Sequence, residues 1–140
     1  MCSTFVGVAL QRTEMNCARL LIVDDHEIFR RGLRALLEPS CDWQICGEAV
    51  DGYDAVEKCK SLRPDIVVLD VSMPRLNGLE AAKLISRANP ESKIVIITQH
   101  DSPQIRSAAI EAGAQAFVTK SAVGSELVSA LRNLILIRSK

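Results

Sequence analysis

Three short apolar runs decide most of what this chain can fold into. Leu20-Leu21-Ile22-Val23 ends at Asp24-Asp25, Ile66-Val67-Val68-Leu69 ends at Asp70, and Ile94-Val95-Ile96-Ile97 ends at Thr98. Each is short, rich in β-branched residues and apolar at every position, so neither of its faces can be turned to water. Runs of this kind suit the buried strands of a parallel sheet covered by helices on both sides. Residues 43–49 and Ala116-Phe117-Val118 are weaker fourth and fifth candidates.

Helical periods fill the gaps. Ile28, Phe29, Leu33, Leu36 and Leu37 form one apolar stripe, which should stop before Pro39. Ala55, Val56, Cys59 and Leu62 form a second, ended by Pro64, and Leu79, Ala82 and Ile85 a third, stopped near Pro90. Ile105, Ala108, Ala109 and Ala112 give a fourth with Gly113 as its C-terminal stop, and Leu127, Val128, Leu131, Leu134 and Ile135 a fifth. Strand and helix alternate five times, which predicts a doubly wound α/β domain. Residues 1–17 lack a period and read as a leader, either disordered or an extra edge strand.

Composition narrows the function. The 140 residues carry 17 Lys and Arg against 17 Asp and Glu, so there is no net basic field for nucleic acid or an anionic membrane. No apolar run approaches the roughly 20 residues needed to span a bilayer. Phe5–Leu10 is apolar but lacks the preceding basic stretch of a signal peptide. Cys2, Cys17, Cys41, Cys46 and Cys59 form no CxxC pair and no zinc-spaced cluster, and read as reduced thiols of a cytoplasmic protein.

The informative polar residues stand where the strands stop. Open α/β sheets bind ligands beyond the carboxyl ends of their strands, where the strand order reverses. The five-stranded order 2-1-3-4-5, taken here from known sheets of this kind rather than derived from the residues, makes the first and third strands neighbours at that point. Asp24, Asp25 and Asp70 would then share one crevice. Three carboxylates so close repel one another unless a cation intervenes, and a hard, hydrated ion such as Mg²⁺ suits them. Each aspartate alone reads equally as a cap or turn residue, and the set is what carries weight. Thr98, after the fourth strand, offers a hydroxyl to a phosphoryl oxygen, and Lys120, after the fifth, offers a compact cation. Taken singly they are a strand-forming threonine and a solvated charge. A carboxylate beside a metal can attack phosphorus, and positioning with charge stabilisation carries most of that chemistry.

These residues resemble the receiver domains of two-component response regulators. The motifs are Leu21-Ile22-Val23-Asp24-Asp25-His26, Val67-Val68-Leu69-Asp70-Val71-Ser72-Met73-Pro74, Asn77-Gly78, Ile96-Ile97-Thr98, and the run from Gly113 to Lys120. The resemblance implies a flavodoxin-like receiver over residues 18–138, with Asp70 phosphorylated by a histidine kinase or by small donors. It implies Mg²⁺ on Asp25, Asp70 and the backbone carbonyl of Ser72, with Asp24 acting through metal-bound water. Thr98 and Lys120 would contact the phosphoryl oxygens, and Thr98 and Phe117 would switch together. Phosphorylation would then alter the face of the fourth helix, fifth strand and fifth helix, often a dimer surface. The residues Leu134-Ile135-Leu136-Ile137 look more apolar than one buried stripe requires.

Arg30-Arg31-Gly32-Leu33, and Ser121 in place of the proline that often follows the lysine, are similar to the NarL/LuxR class of transcriptional regulators. That class usually has a C-terminal helix-turn-helix domain. None is expected in this chain, which reads either as the switch of a DNA-binding regulator or as a stand-alone regulator acting through protein contacts. Gln99 departs from the family's usual small residue and, with Ser72 and His100, is a candidate modulator of phosphate lifetime. A nucleotide-binding enzyme is disfavoured, since neither GxxxxGK[ST] nor GxGxxG follows the first strand.

Overall fold

The computed structural model describes residues 17–73 and 75–139. Most of the leader, Cys2 and Pro74 lie outside the described residues, and so do the side chains of Leu136 and Ile137. The strands are β1 (Ala18–Val23), β2 (Trp43–Ala49), β3 (Ile66–Asp70), β4 (Lys93–Thr98) and β5 (Ala116–Thr119). The helices between them are α1 (Glu27–Leu37), α2 (Gly52–Leu62), α3 (Gly78–Ala88) and α4 (Pro103–Glu111). After β5 a 3₁₀ turn (Lys120–Ala122) and a π turn (Val123–Leu127) lead into α5 (Val128–Ser139). All pairings are parallel and the order is β2-β1-β3-β4-β5, as expected.

The helix starts follow their capping chemistry. Asp51, Asn77 and Ser102 each accept a hydrogen bond from the backbone N–H three residues on, at 2.8, 3.0 and 3.1 Å, and Pro103 opens α4. Gly113, just past α4, has φ +104°, a conformation that costs glycine little. One expectation fails. Ile28, read as part of the α1 stripe, is 83% exposed. It stands five residues before Leu33, about 140° around the helix, so it cannot share the face that buries Leu33 and Leu37.

Strand residues alternate between two cores. Leu20, Ile22, Ile66, Val68, Val95, Ile97 and Val118 pack with Leu33, Leu37, Leu127, Leu131 and Leu134 of the α1/α5 side. Leu21, Val23, Val67, Leu69, Ile94 and Ile96 pack with Ala55, Cys59, Ala81, Ala82, Ile85 and Ala109 of the α2–α4 side. This period of two also decides on which side each polar residue leaves the sheet.

Candidate functional site

The register brings the acids together. Leu20 pairs with Ile66 and Val23 with Leu69, so one further step sets Asp24 level with Asp70. Both continue the even-numbered series that faces the α1/α5 core, as does Lys120 after Val118. The result is a cluster of Asp24, Asp25, His26 and Asp70 with one ligand atom from each, all within 4.8 Å of one another. Lys120 joins it, its Nζ standing 3.1 Å from Asp24 Oδ2 and 3.7 Å from Asp70 Oδ2.

The β3–α3 connection is shaped to hold Asp70. A Cβ built on Gly78 would lie 2.0 Å from the Asp70 carbonyl oxygen, so only glycine lets α3 begin there. The Gly78 N–H donates to the Val71 carbonyl at 2.9 Å, and the Val71 N–H donates to Ile97 on β4, also at 2.9 Å. The Asn77-Gly78 pair therefore has two jobs, a helix cap and a close approach.

The charges in the crevice are under strain. Asp24 and Asp70 are 1% and 2% exposed, and Asp24 Oδ2, Asp25 Oδ1 and both Asp70 oxygens receive no hydrogen bond of good geometry. Burial, with the Asp24 charge adding to it, pushes the Asp70 carboxyl up to about 6; Lys120 and the Ser72 amide pull the other way without prevailing. Buried acceptors without donors are costly unless a cation serves them. All the unpartnered atoms are carboxylate oxygens, the donors a hard divalent cation prefers. Ligands about 2.1 Å from such an ion stand up to about 4.2 Å apart, close to the spacing found here. The acidic set could thus hold a hard metal ion.

The other expected residues are arranged differently. Thr98 is buried, but its hydroxyl turns to its own loop, donating to the His100 carbonyl and accepting from the His100 N–H, each at 3.2 Å. Gln99, His100 and Ser72 are exposed on the loops at the same end of the sheet. Phe117 is half-buried on the α2–α4 side, with the Arg106 guanidinium 4.5 Å from its ring centre. Asp24 also fills the turn role that the sequence allowed, its Oδ1 accepting from the His26 N–H at 2.7 Å.

Sequence reading missed His26 as a member of the cluster. Its Nδ1 lies 3.2 Å from Asp24 Oδ1 and 3.2 Å from Asp25 Oδ1, although its side chain is largely exposed. The available signal was adjacency to the acid pair at the start of α1. Among the described residues no helix is long and apolar enough to cross a membrane.

Comparison with known proteins agrees with this geometry. The family described as "Response regulator receiver domain" matches residues 20–132. Response regulator UvrY of Escherichia coli K12 is 39% identical over 115 residues, 82% of this chain and 53% of that protein. Response regulator GacA of Pseudomonas viridiflava is 36% identical over 114 residues, 81% of this chain and 53% of its own. The chain thus spans about half the length of the curated relatives it matches. Among solved structures, a LuxR-family two-component response regulator from Aurantimonas sp. SI85-9A1 superposes with TM-score 0.82 at 37% identity, covering 86% of both chains. The receiver domain of NarL from Mycobacterium tuberculosis gives TM-score 0.81 at 32% identity, covering 86% of this chain and 97% of that one. With strand order, acidic crevice and sequence in accord, the chain belongs to the response regulator receiver domain family.

Proposed function

We propose that Asp70 is the phosphoacceptor of a two-component switch, phosphorylated by a cognate histidine kinase or by a small phosphoryl donor. The observation that carries this reading is the set of buried carboxylate oxygens on Asp24, Asp25 and Asp70 that accept no hydrogen bond, gathered beside the Lys120 ammonium. A site built only for stability would not gather that many unsatisfied acceptors.

Asp25, Asp70 and the Ser72 carbonyl would hold Mg²⁺, with Asp24 reaching it through water. When bound, the ion supplies charge neutralisation that lets a carboxylate approach a phosphoryl group. An Asp70 oxygen attacks phosphorus, the bond to the donor's leaving group breaks, and an acyl phosphate remains on Asp70. Lys120, already next to Asp70, pairs with the new phosphoryl oxygens. Thr98 would have to give up its His100 contacts to donate to them, and that rotation vacates space on the side where Phe117 sits. Phe117 moving inward would then alter the α4–β5–α5 face, where Ile110 is 71% exposed. That face is the proposed homodimer surface. Output to DNA would belong to a domain other than the receiver. No contact with nucleic acid or membrane is proposed for the chain itself.

The test is incubation with acetyl phosphate and Mg²⁺ followed by intact mass measurement. Wild type should gain one phosphate. The Asp70→Asn variant should gain none, and a gain that survives this substitution overturns the assignment.

A further inference from the structure

Lys120 is held by more than carboxylates. Its Nζ lies 4.3 Å from the centre of the Phe29 ring, within the range where the negative face of an aromatic attracts a cation. Three other cation–aromatic contacts occur among the described residues: Arg75 with Tyr53, Arg106 with Phe117 and Arg132 with Trp43. Those arginine side chains are 65%, 52% and 56% exposed, whereas that of Lys120 is 12% exposed. Attraction to a ring strengthens as water is excluded, and Lys120 is the best shielded of the four cations.

The placement follows from the chain path. Phe29 stands in the first turn of α1, only a few residues beyond the acid pair that ends β1. It is half-buried against the α1/α5 core, the side to which Asp24, Asp70 and Lys120 also belong. A lysine carries its charge on a flexible four-carbon stem, and two carboxylates alone hold it only while they remain unneutralised. A cation bound by those carboxylates removes much of their pull on Lys120. The ring is uncharged, so its attraction persists.

We infer that Phe29 is a positioning residue, its ring face keeping the Lys120 ammonium at the edge of the crevice where the phosphoryl oxygens of Asp70 would meet it. This deepens the function proposed above and rests on it. The alternative is that Phe29 only fills the core, and a double-mutant cycle separates the two.

Phosphate uptake from acetyl phosphate is followed by intact mass in wild type, Phe29→Leu, Phe29→Tyr, Lys120→Ala and the Phe29→Leu/Lys120→Ala double variant. Phe29→Leu should slow uptake roughly three- to tenfold, and Phe29→Tyr, which keeps the ring face, should stay near the wild-type rate. In the Lys120→Ala background Phe29→Leu should cause little further loss. An unchanged Phe29→Leu rate, or the same fold-loss without Lys120, overturns the inference. A metal-free arm needs no phosphorylation. Urea midpoints of the same variants in EDTA should be non-additive for Phe29→Leu and Lys120→Ala, and additive midpoints overturn the ring–ammonium contact. If wild type takes no phosphate while the midpoints couple, the proposed function fails and the contact stands.

Discussion

Two flanks of the same sheet end treat their polar groups in opposite ways. On the α1/α5 side Asp24, Asp70 and Lys120 are packed together, with buried carboxylate oxygens that accept no hydrogen bond and one ammonium that offsets only part of their charge. On the α2–α4 side the Thr98 hydroxyl is satisfied by the His100 backbone and Phe117 lies under a guanidinium, both at rest. The contrast separates a flank with unsatisfied carboxylate oxygens from one whose polar groups already have protein partners. Strand alternation produces it, since Asp70 and Thr98 end neighbouring strands but belong to opposite faces.

The sharpest way to break the comparison is to remove one polar group from each flank. Lys120→Ala should slow phosphate uptake from acetyl phosphate at least about tenfold, by loss of charge stabilisation. Thr98→Val should leave uptake within a few-fold of wild type, yet abolish the phosphorylation-dependent change in the Phe117 ring signals by NMR. If Thr98→Val stops uptake as completely as Lys120→Ala, the two flanks are one unit and the distinction fails.

Next in size is the scaffold beneath Asp70. Gly78→Ala places a methyl group against the Asp70 carbonyl and should destabilise the fold by about 2–3 kcal/mol in urea denaturation. Ordinary stability would mean that the β3–α3 loop yields easily, and that Asp70 is less firmly placed than its neighbours suggest.

The charge stress itself can be titrated. The Asp70 carboxyl is pushed from 3.8 in an unstrained state up to about 6 in the folded protein, so the folded state holds its proton more tightly. In metal-free protein Asp70 therefore costs no stability below about pH 4, a growing penalty between about pH 4 and 6, and its full penalty above that. Asp70→Asn should raise neutral-pH stability by on the order of 2 kcal/mol, an advantage that fades as pH falls through this window. Mg²⁺ should raise the melting temperature of wild type and do little for Asp70→Asn. A stability gain from Asp70→Asn that is the same at pH 4 and pH 7 would contradict the assigned cause.

Smallest is the effect at the mouth. Gln99 is exposed next to Thr98, and Gln99→Ala should change the half-life of the phosphorylated protein a few-fold without altering its melting temperature. An unchanged half-life removes Gln99 from the set of modulators.

Much of this was legible in the residues. The apolar runs and their β-branched content specified buried parallel strands, and the helix stripes with Pro39, Pro64 and Gly113 marked their bounds. The acids were found because they interrupt strongly apolar runs, which is a local signal. Ile28 was misread because apolar character was counted without checking its angle around the helix. His26 was passed over because its place in the cluster depends on how the first turn of α1 folds back on Asp24 and Asp25. Gly78 was noted as part of a motif, but the 2.0 Å approach that requires it is a distance between two elements.

The sequence by itself determined the alternation of strand and helix, the acids and lysine at the strand ends, and the near-neutral charge that gives no general attraction to nucleic acid. The first follows from short-range hydrophobic periodicity, the second from where that periodicity breaks and the third from composition, all of which read along the chain. Tertiary structure alone decided that Lys120 contacts both Asp24 and Asp70, that Thr98 points elsewhere, and that Phe29 lies against the ammonium. Each of these depends on strand register and on which face a side chain leaves from. Parallel strands are joined by crossovers of a dozen residues or more, so groups that touch here are up to about a hundred positions apart and no local pattern records their meeting.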